Sequence, residues 1–394
     1  MRKPIPRALR LAVGVTALLV AISGPVPAAS QGEKGGGQSI FRLADGKRVP
    51  FSSMMDDLSG ADIVLVGEEH DSHANHRAQQ QVIAALLGRG LVAVGMESFP
   101  STRQDALDAW WRGRNETFPD FLDRVDWFRV WGLSPALYRP ILATVRMNRV
   151  PLYGINVPRS WIDVVARKGL EGLDRDQRRR IGPVAPPPPA YRKALRESLA
   201  SHHGGPGEKG FIQAQITWDA AMAGGLLKAK REHPRAVVVG IVGKGHVEGG
   251  YGIPRQVRTR NGDLKVRTVL PFAPEAEDRP GKGDADYAWA MAPERASDPV
   301  QIGVVLDTAK GGGGVAIQRV KEGYPAEKAG LQAGDRILAV DGSKTSDATR
   351  LIYAIRQHQW GGCLRLRIRR KGAMHTLTVV LERPQETPSS GQSE

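Results

Sequence analysis

The chain contains 394 residues, 41% of them hydrophobic, and has a formal net charge of +15 at pH 7. A chain of this length and composition has room for two folded domains and is too hydrophobic to be disordered throughout. The positive charge does not indicate nucleic-acid binding, because no motif of that class occurs and the N-terminus predicts secretion. We interpret the charge as a contribution to solubility, with an acidic ligand or an anionic membrane surface as the alternative.

Residues 1–28 have the features of a secretory signal peptide. A basic start is followed by the apolar stretch Leu11–Ile22 and by small residues ending at Ala28, which is the pattern of a cleaved segment. We therefore expect a periplasmic protein, with an uncleaved membrane anchor as the alternative. No cysteine follows the segment to carry a lipid anchor, and the single Cys363 cannot form an internal disulfide. Residues 29–39 are expected to be a flexible leader.

Residues 40–272 alternate short apolar runs with helical stretches. This alternation predicts an α/β domain with a mostly parallel sheet flanked by helices and interrupted by helical insertions. A helix of about 14 residues is expected between the first two strands. The predicted buried strands are Ile63–Val66, Leu91–Met96, Pro151–Ile155 and Ala236–Val242.

Polar side chains follow each of the four predicted strands. Glu68 and His70 follow the first strand, Glu97 the second, Asn156 the third and His246 the fourth. Because ligands of open parallel sheets bind at the carboxyl ends of the strands, we expect these side chains to meet at one edge. Helix capping or exposure to solvent is the alternative for any single residue.

Carboxylate and imidazole groups together suit a divalent ion such as Zn²⁺ or Mn²⁺, or a general acid–base pair. The candidate metal ligands or acid–base groups are Glu68, His70, Glu97 and His246. Imidazole and phenolate are also axial ligands of ferric haem. Unlike these candidate residues, His73 is expected to face solvent.

Several ordered blocks in residues 40–272 resemble the ChaN family of haem-binding uptake proteins. They include "IVLVGEEHDSHANHRAQQQVIAALL", "GMESFPSTRQDALDAWWRG", "FIQAQITWDAAMA" and "GKGHVEGGYGIP". The related Tiki, TraB and erythromycin-esterase-like proteins share a G-x-x-H element and a later glutamate, which here fall on Gly67–His70 and Glu97. The chain departs from the usual ChaN pattern because it lacks the lipoprotein cysteine and has Asn75-His76 where members often show paired histidines.

The resemblance implies a haem-binding protein in iron acquisition, often a dimer that holds haem at its interface. Tyr251 and His246 lie in a glycine-rich segment that could approach a flat macrocycle, so they and His70 are the candidate haem-binding residues. The resemblance also leaves hydrolysis open. The alternative is a secreted metal-dependent hydrolase of esters or peptides that uses Glu68, His70, Glu97 and His246.

Residues 273–298 are rich in Pro, Gly and acidic residues and predict a linker; residues 385–394 predict a disordered tail. Between them, residues 299–384 resemble a bacterial-type PDZ domain, a small α+β fold, through "PAEKAGLQAGDRILAVDG" and "RIRRKGAMHTLTVVLE". The resemblance implies binding of a protein C-terminus or an extended peptide.

The peptide-binding residues that the PDZ resemblance indicates are Gln301, Ile302, Gly303 and Val304 in the loop and strand, and Leu351 and Ile355 on the closing helix. A degenerate PDZ that only stabilises the chain, or a scaffold in which the PDZ is the working part, are the alternatives.

Overall fold

The computed structural model of the protein describes residues 39–200, 207–276, 279–292, 299–307 and 313–384. The predicted signal peptide, all of the predicted leader except Ser39, and the predicted tail lie outside the described residues. The described chain divides into two compact units, and residues 299–384 belong to the second.

The first unit is built on an eight-stranded sheet with the spatial order β2-β1-β8-β7-β3-β6-β4-β5. The six strands from β8 to β5 are parallel, and β1 pairs antiparallel with both β2 and β8. The strands are β1 (Ser39–Arg42), β2 (Lys47–Val49), β3 (Ile63–Glu68), β4 (Val92–Pro100), β5 (Leu152–Asn156), β6 (Val237–Gly243), β7 (Val266–Phe272) and β8 (Tyr287–Ala290). The prediction of a mostly parallel sheet is confirmed.

Helices flank this sheet, as the alternating pattern predicts. They are α1 (Phe51–Ser59), α2 (His73–Leu87), α3 (Gln104–Trp111), α4 (Phe118–Arg124), α5 (Trp127–Val130), α6 (Pro135–Met147), α7 (Arg159–Lys168), α8 (Arg175–Ile181), α9 (Pro189–Ala200), α10 (Gly207–Glu232) and α11 (Ile253–Arg260). The longest, α10, approaches β5 closely, since a Cβ atom on Gly225 would lie 2.7 Å from Cα of Ile155. Among the described residues, no helix has both the length and the hydropathy that a bilayer-spanning segment needs.

All four predicted strands are present, and each continues beyond its apolar run, β5 and β6 by one residue and β3 and β4 by more. β3 extends through Glu68, which lies opposite Gly243 of β6, and β4 extends beyond Met96 to Pro100. The polar residues added, Glu68, Glu97 and Ser98, are all buried, because a parallel sheet is covered on both of its faces. As a result, Glu68 and Glu97 lie within strands and not in the loops that follow them.

The predicted linker is wrong for Tyr287–Ala290. These residues form the buried strand β8, which lies between β1 and β7. The side chain of Trp289 is fully buried and its ring centroid lies 5.2 Å from that of Phe51. A four-residue strand inside a segment rich in Pro, Gly and charge leaves too short a pattern to stand out in the sequence.

The aromatic-rich insertion between β4 and β5 packs as a buried cluster on the sheet. The ring of Trp127 lies 5.4 Å from that of Phe99 and 5.2 Å from that of Tyr138, and all three side chains are buried. Helix α6, which carries Tyr138, begins at Pro135, where a helix-starting proline is favoured. The insertion thereby brings the Tyr138 hydroxyl to the end of β3.

The second unit is an antiparallel sheet with the order β14-β13-β11-β10-β9, and β12 pairs with β11. Its elements are β9 (Val304–Asp307), β10 (Val315–Val320), α12 (Pro325–Lys328), β11 (Arg336–Val340), β12 (Ser343–Lys344), α13 (Ala348–Ile355), β13 (Cys363–Arg370) and β14 (Ala373–Val380). Asp341 and Gly342 join β11 to β12 with φ angles of 47° and 83°. This is the hairpin turn that an Asp-Gly pair favours.

Candidate functional site

The four predicted site residues lie together at the carboxyl end of three adjacent strands. Glu68 ends β3, Glu97 lies in β4, and His246 ends a short 3₁₀ turn that follows β6. The order β3-β6-β4 makes these strands neighbours. A Cβ atom on Gly243, the last residue of β6, would lie 3.2 Å from Nε2 of His70 and 3.5 Å from Oε2 of Glu97. Glycine at this position therefore allows the two side chains to approach each other.

Glu68 is a buried carboxylate held by three donors. Its Oε1 accepts hydrogen bonds from the Tyr138 hydroxyl at 2.6 Å and from Nδ1 of His70 at 2.8 Å, and its Oε2 accepts from Nε2 of Gln79 at 2.7 Å. Burial alone would raise the pKa of Glu68, but the facing rings of His76 and His70 lower it to about 2. The group is an anion at any physiological pH.

His76 also belongs to this network, although the sequence pattern assigned it no role. Its Nδ1 lies 3.0 Å from Oε1 of Gln79, and its Nε2 lies 3.2 Å from the carbonyl oxygen of His70. Both nitrogens thus face oxygen atoms. Nδ1 of the buried ring also lies 3.4 Å from Oε2 of Glu68, so His76 packs directly against the carboxylate.

Glu97 and His246 form a second carboxylate–imidazole group with Asp219. Nδ1 of His246 lies 2.7 Å from Oδ1 of Asp219, and its Nε2 lies 3.5 Å from Oε1 of Glu97. Burial alone would lower the pKa of His246, but the two carboxylates raise it to about 10. Oε2 of Glu97 accepts from the backbone N–H of Gly243 at 2.6 Å, and Oδ2 of Asp219 accepts from the Tyr191 hydroxyl at 2.8 Å.

His70 is the accessible member of the cluster. Its side chain is 37% exposed, while that of Glu68 is 2% exposed, and its ring contacts Trp131 edge-on at 4.9 Å. Partial burial favours the neutral ring, but the hydrogen bond to Glu68 and the charge of Glu97 raise the pKa of His70 above its ordinary value of 6.5. The imidazole is held in a fixed orientation by Glu68, which is what a general acid or base requires.

The prediction of a metal centre at Glu68, His70, Glu97 and His246 is not supported. Among the described residues, no group of three or more His, Cys, Asp or Glu side chains is arranged to hold a metal ion. The physical reason is that these donors already bond to each other in pairs. Both nitrogens of His246 face carboxylates, so neither can coordinate haem iron or a metal without breaking a buried contact. The arrangement does not favour the expected role of His246 as a ligand, which stays a prediction.

Tyr251 differs from His246 because it is half-buried and its polar group is not hydrogen-bonded within the described chain. Its ring stacks on Tyr191 with centroids 5.9 Å apart. Its hydroxyl makes no hydrogen bond to another residue of the described chain. Gly249 and Gly250 precede it with φ angles of 66° and 65°, and a Cβ atom on Gly249 would lie 2.4 Å from the Tyr251 ring. A free phenol beside a backbone without side chains fits the donor chemistry of ferric haem.

The sequence pattern missed Asp219, Tyr191 and the hydrogen-bonding role of Tyr138. Asp219 lies within α10, and in the sequence it is far from any strand end. The signal that could have identified it is its single charge in the apolar run "ITWDAAMAGG". Asn156, predicted at the end of the third strand, donates from Nδ2 to the carbonyl oxygen of Glu97 at 2.9 Å. It fixes the backbone of β4. His73, expected to face solvent, is half-buried at the start of α2.

In the second unit, the predicted peptide-binding loop has a fixed shape. Gly303 has a φ angle of 81°, and a Cβ atom there would lie 2.1 Å from Cβ of Tyr324. The carbonyl oxygens of Ile302 and Gly303 accept from the N–H groups of Ala326 and Lys321. Gln301 is exposed and Ile302 is buried in the core. The strand that follows, β9, is at the edge of the sheet.

The expected groove-lining role of Leu351 and Ile355 is wrong. Their side chains are 0% and 5% exposed and belong to the hydrophobic core of the second unit. Four-residue spacing places two side chains on one face of a helix, but it does not say which element that face meets. In α13 this face packs against the sheet, and Ile352 is half-buried beside it.

Two family models match the chain. One, described as "Haem-binding uptake, Tiki superfamily, ChaN", matches residues 54–257, just over half of the chain. The other, described as a PDZ domain, matches residues 275–381. The second match begins before β8, although the structure places Tyr287–Ala290 in the sheet of the first unit.

Known proteins resemble separate parts of the chain. A solved structure titled "Cofacial heme binding to ChaN of Campylobacter jejuni" is 21% identical, with a TM-score of 0.51, and the match covers 64% of this chain and 96% of that chain. This likeness shows the fold. The regulator of sigma-E protease RseP of Escherichia coli is 33% identical over 128 residues, 32% of this chain and 26% of the relative. HhoA of Synechocystis is 41% identical over 66 residues, 17% of each chain. The chain thus spans about a quarter or less of these curated relatives.

Proposed function

The chain belongs to the ChaN family of haem-binding uptake proteins, and on that premise we propose that it binds haem in the periplasm as part of iron uptake. The observation that carries the proposal is the free, half-buried phenol of Tyr251 beside two glycines with positive φ angles. Bound haem would supply a ferric iron, which takes a phenolate as an axial ligand. The sequence pattern of a signal peptide supports the location, and the family description supports uptake.

In this proposal, one residue of the chain binds the haem iron and others hold that residue in place. Tyr251 is the ligand candidate, and the stacked Tyr191 ring holds its orientation. Tyr191 is fixed in turn, because its hydroxyl donates to the buried Asp219. His246 bonds to the same carboxylate, so it positions this region without contacting the iron.

Replacing Tyr251 with phenylalanine should remove most haem binding. The purified chain is expected to develop a Soret band on titration with micromolar haemin, and Tyr251→Phe should weaken the apparent affinity at least tenfold, since the iron loses its anionic ligand. Tyr287→Phe is the matched control, because that hydroxyl is already bound to Asp57 and Tyr287 lies in β8, away from the cluster at β3, β6 and β4. A Soret band of equal affinity in the wild type and Tyr251→Phe would refute the role of Tyr251.

We propose further that the PDZ domain binds an extended peptide with a free C-terminus along β9. The support is the fixed loop Gln301–Val304, which leads into an edge strand. Such a strand can accept a peptide as an additional strand while the loop N–H groups bind its carboxylate. The degenerate form of the domain, which would only stabilise the chain, is the competing hypothesis.

Gly303→Ala should abolish peptide binding by the PDZ domain. The φ angle of 81° disfavours alanine, and the added Cβ would overlap Tyr324. A heptapeptide selected from a random library with free C-termini should bind the wild type, and its amidated form should bind at least tenfold more weakly. Gly323→Ala is the control, because that glycine also has a positive φ of 76° but nothing lies within 4 Å of an added Cβ. If Gly303→Ala and Gly323→Ala bind alike, the loop is not the site.

Acid–base hydrolysis of an ester or amide is a second candidate function. It is favoured by the accessible His70, whose Nδ1 is oriented by the buried Glu68. A base must be neutral, and the pKa of His70 is raised above 6.5. We therefore expect any hydrolytic rate to increase with pH through that raised value.

His70→Ala should reduce such a rate by at least 100-fold, which is the usual contribution of a general base. A panel of ester and peptide substrates would be assayed with the wild type and His70→Ala. His73→Ala is the control, since His73 is a half-buried histidine three residues away. Equal rates in the wild type and His70→Ala would exclude His70 as the base.

A further inference from the structure

We propose that a groove along the edge strand β5 binds an amphipathic organic anion, with a carboxylate or phosphate group attached to an apolar body. The groove has a volume of about 810 Å³, within the range of about 300–1,000 Å³ that is common for small-molecule sites. Its walls come from β5, the end of α8 and the second half of α10. None of the clustered residues Glu68, His70, Glu97 and His246 lines it.

The charge of the lining is positive without exception. Three of its basic residues already have carboxylate partners, since Arg179 pairs with Asp176, Lys230 with Asp62 and Lys228 with Glu232. Those three acids lie outside the lining, which contains no aspartate or glutamate. The basic residues that line the groove are Arg179, Arg180, Lys228, Lys230, Arg231 and Arg260.

Three of these cations have no carboxylate partner within the described chain. They are Arg180, Arg231 and Arg260. The last is fixed in place, because its Nη2 donates to the carbonyl oxygen of Ile181 at 3.1 Å and also to that of Pro183. Its Nε is buried and has no hydrogen-bond partner among the residues that the structure describes. Burial also lowers the pKa of Arg260, as expected for a cation that lacks a counterion. A concave surface with uncompensated guanidinium groups attracts an anion.

The remaining lining is apolar, which points to more than an inorganic anion. Ile155 and Leu227 are buried core residues that reach the groove, and Leu264 is half-buried beside them. Gly224 leaves space near the cations, since a Cβ atom there would lie 3.0 Å from Nη1 of Arg260. The apolar body of a ligand can therefore pack against these apolar residues while the anionic group of the ligand contacts the guanidinium groups.

The exposed edge of β5 is closed to an added peptide strand by Gln104. Its Oε1 accepts from the N–H of Gly154 at 3.1 Å, and its Nε2 donates to the carbonyl oxygen of Leu152 at 2.8 Å. The side-chain amide thus occupies the groups that a neighbouring strand would use. The groove consequently favours a small molecule over an extended acidic peptide.

A second cavity of about 640 Å³ adjoins the groove and shares five lining residues with it, namely Ser101, Gln104, Tyr153, Arg180 and Lys228. Its lining includes Asp105, Asp108 and Glu232, so its charge is mixed. The anion site is accordingly limited to the section between α8 and the end of α10.

Dodecanoate is a suitable probe, and its binding to the full chain can be measured by titration calorimetry. We expect dodecanoate to bind more tightly than acetate, which lacks the apolar body, and than dodecyl maltoside, which lacks the charge. The double variant Arg180→Gln/Arg231→Gln should bind dodecanoate at least tenfold more weakly, because it loses two charge-assisted contacts. Both side chains are exposed, and such substitutions seldom affect folding; the thermal midpoint would verify this.

Arg167→Gln/Arg192→Gln is the matched control, since it removes the same charge from exposed residues outside the groove. It should bind dodecanoate like the wild type. Equal affinity for dodecanoate in the two double variants, or equal binding of dodecanoate and acetate to the wild type, would overturn the proposal. Haemin titration of Arg180→Gln/Arg231→Gln should be unchanged, and a parallel loss of the Soret band would assign the groove to the haem site instead.

Discussion

Replacing Asp219 with alanine is expected to lower the free energy of unfolding by about 3–5 kcal/mol, the usual cost of removing one partner of a buried ion pair. Asp219 is fully buried and bonds to both His246 and Tyr191. Without it, the imidazolium of His246 keeps one carboxylate neighbour among the described residues, Glu97 at 3.5 Å, and the Tyr191 hydroxyl loses the carboxylate to which it donates. Urea unfolding at pH 7 measures the change.

The same pair predicts how stability depends on pH. The pKa of His246 is raised in the folded state to about 10 from 6.5, so the folded chain holds this proton more tightly than the unfolded chain. The resulting stabilisation is fully present below pH 6.5 and is lost as the pH rises through about 10. In Asp219→Asn, which keeps an acceptor oxygen but removes the charge, the loss of stability between these pH values should be smaller than in the wild type.

Asp263→Ala is the control for Asp219, because Asp263 is exposed and its side chain makes no hydrogen bond within the described residues. Its unfolding free energy should stay within about 0.5 kcal/mol of the wild type, as for most surface substitutions. If Asp219→Ala were no less stable than Asp263→Ala, the buried pair would contribute nothing to the fold.

Glu68→Gln is expected to lower the free energy of unfolding by about 2–4 kcal/mol, because one side of the new amide is a donor that faces other donors. The Tyr138 hydroxyl and Nδ1 of His70 point at one carboxylate oxygen, and Nε2 of Gln79 points at the other. An amide cannot accept from both sides. The buried ring of His76, whose Nδ1 lies 3.4 Å from Oε2 of Glu68, also loses its carboxylate neighbour.

Glu68→Gln should also change how the stability of the fold depends on pH. The pKa of Glu68 is lowered to about 2, so its contribution to stability is present above about pH 4.5 and is lost as the pH falls through about 2. Glu68→Gln should therefore lose less stability across that acid range than the wild type does. Removing the carboxylate should also lower the pKa of His70 towards 6.5, which ring-proton NMR can follow.

Glu69→Gln is the neighbouring control, since the Glu69 side chain is 58% exposed and pairs only with Lys244 at the surface. It should leave the pKa of His70 and the acid range of stability close to those of the wild type. A Glu68→Gln chain that behaves like Glu69→Gln would show that the Glu68 network does not control His70.

Part of the site could be predicted because parallel strands deliver their ends to one edge. Glu68, Glu97 and His246 each follow or end an apolar run, and that local signal, together with the topology rule, is enough to bring them together. Asp219 could not be found in this way. It reaches His246 because α10 crosses the sheet at close range, and the glycines that permit this approach carry no chemical signal of their own.

The sequence by itself determined the two-domain order, the four strands β3 to β6 and the turn at Asp341-Gly342, because hydrophobic periodicity and turn chemistry act over a few neighbouring residues. Only the tertiary structure decided that Tyr287–Ala290 is a strand, that Leu351 and Ile355 face the core, and that His246 is enclosed by two carboxylates. Asp219 lies 27 residues from His246, and Tyr287–Ala290 pairs with a strand more than 200 residues away. Such contacts are set by packing and not by local pattern. The availability of a side chain to bind a ligand is therefore a tertiary property, even where its position at a strand end is a local one.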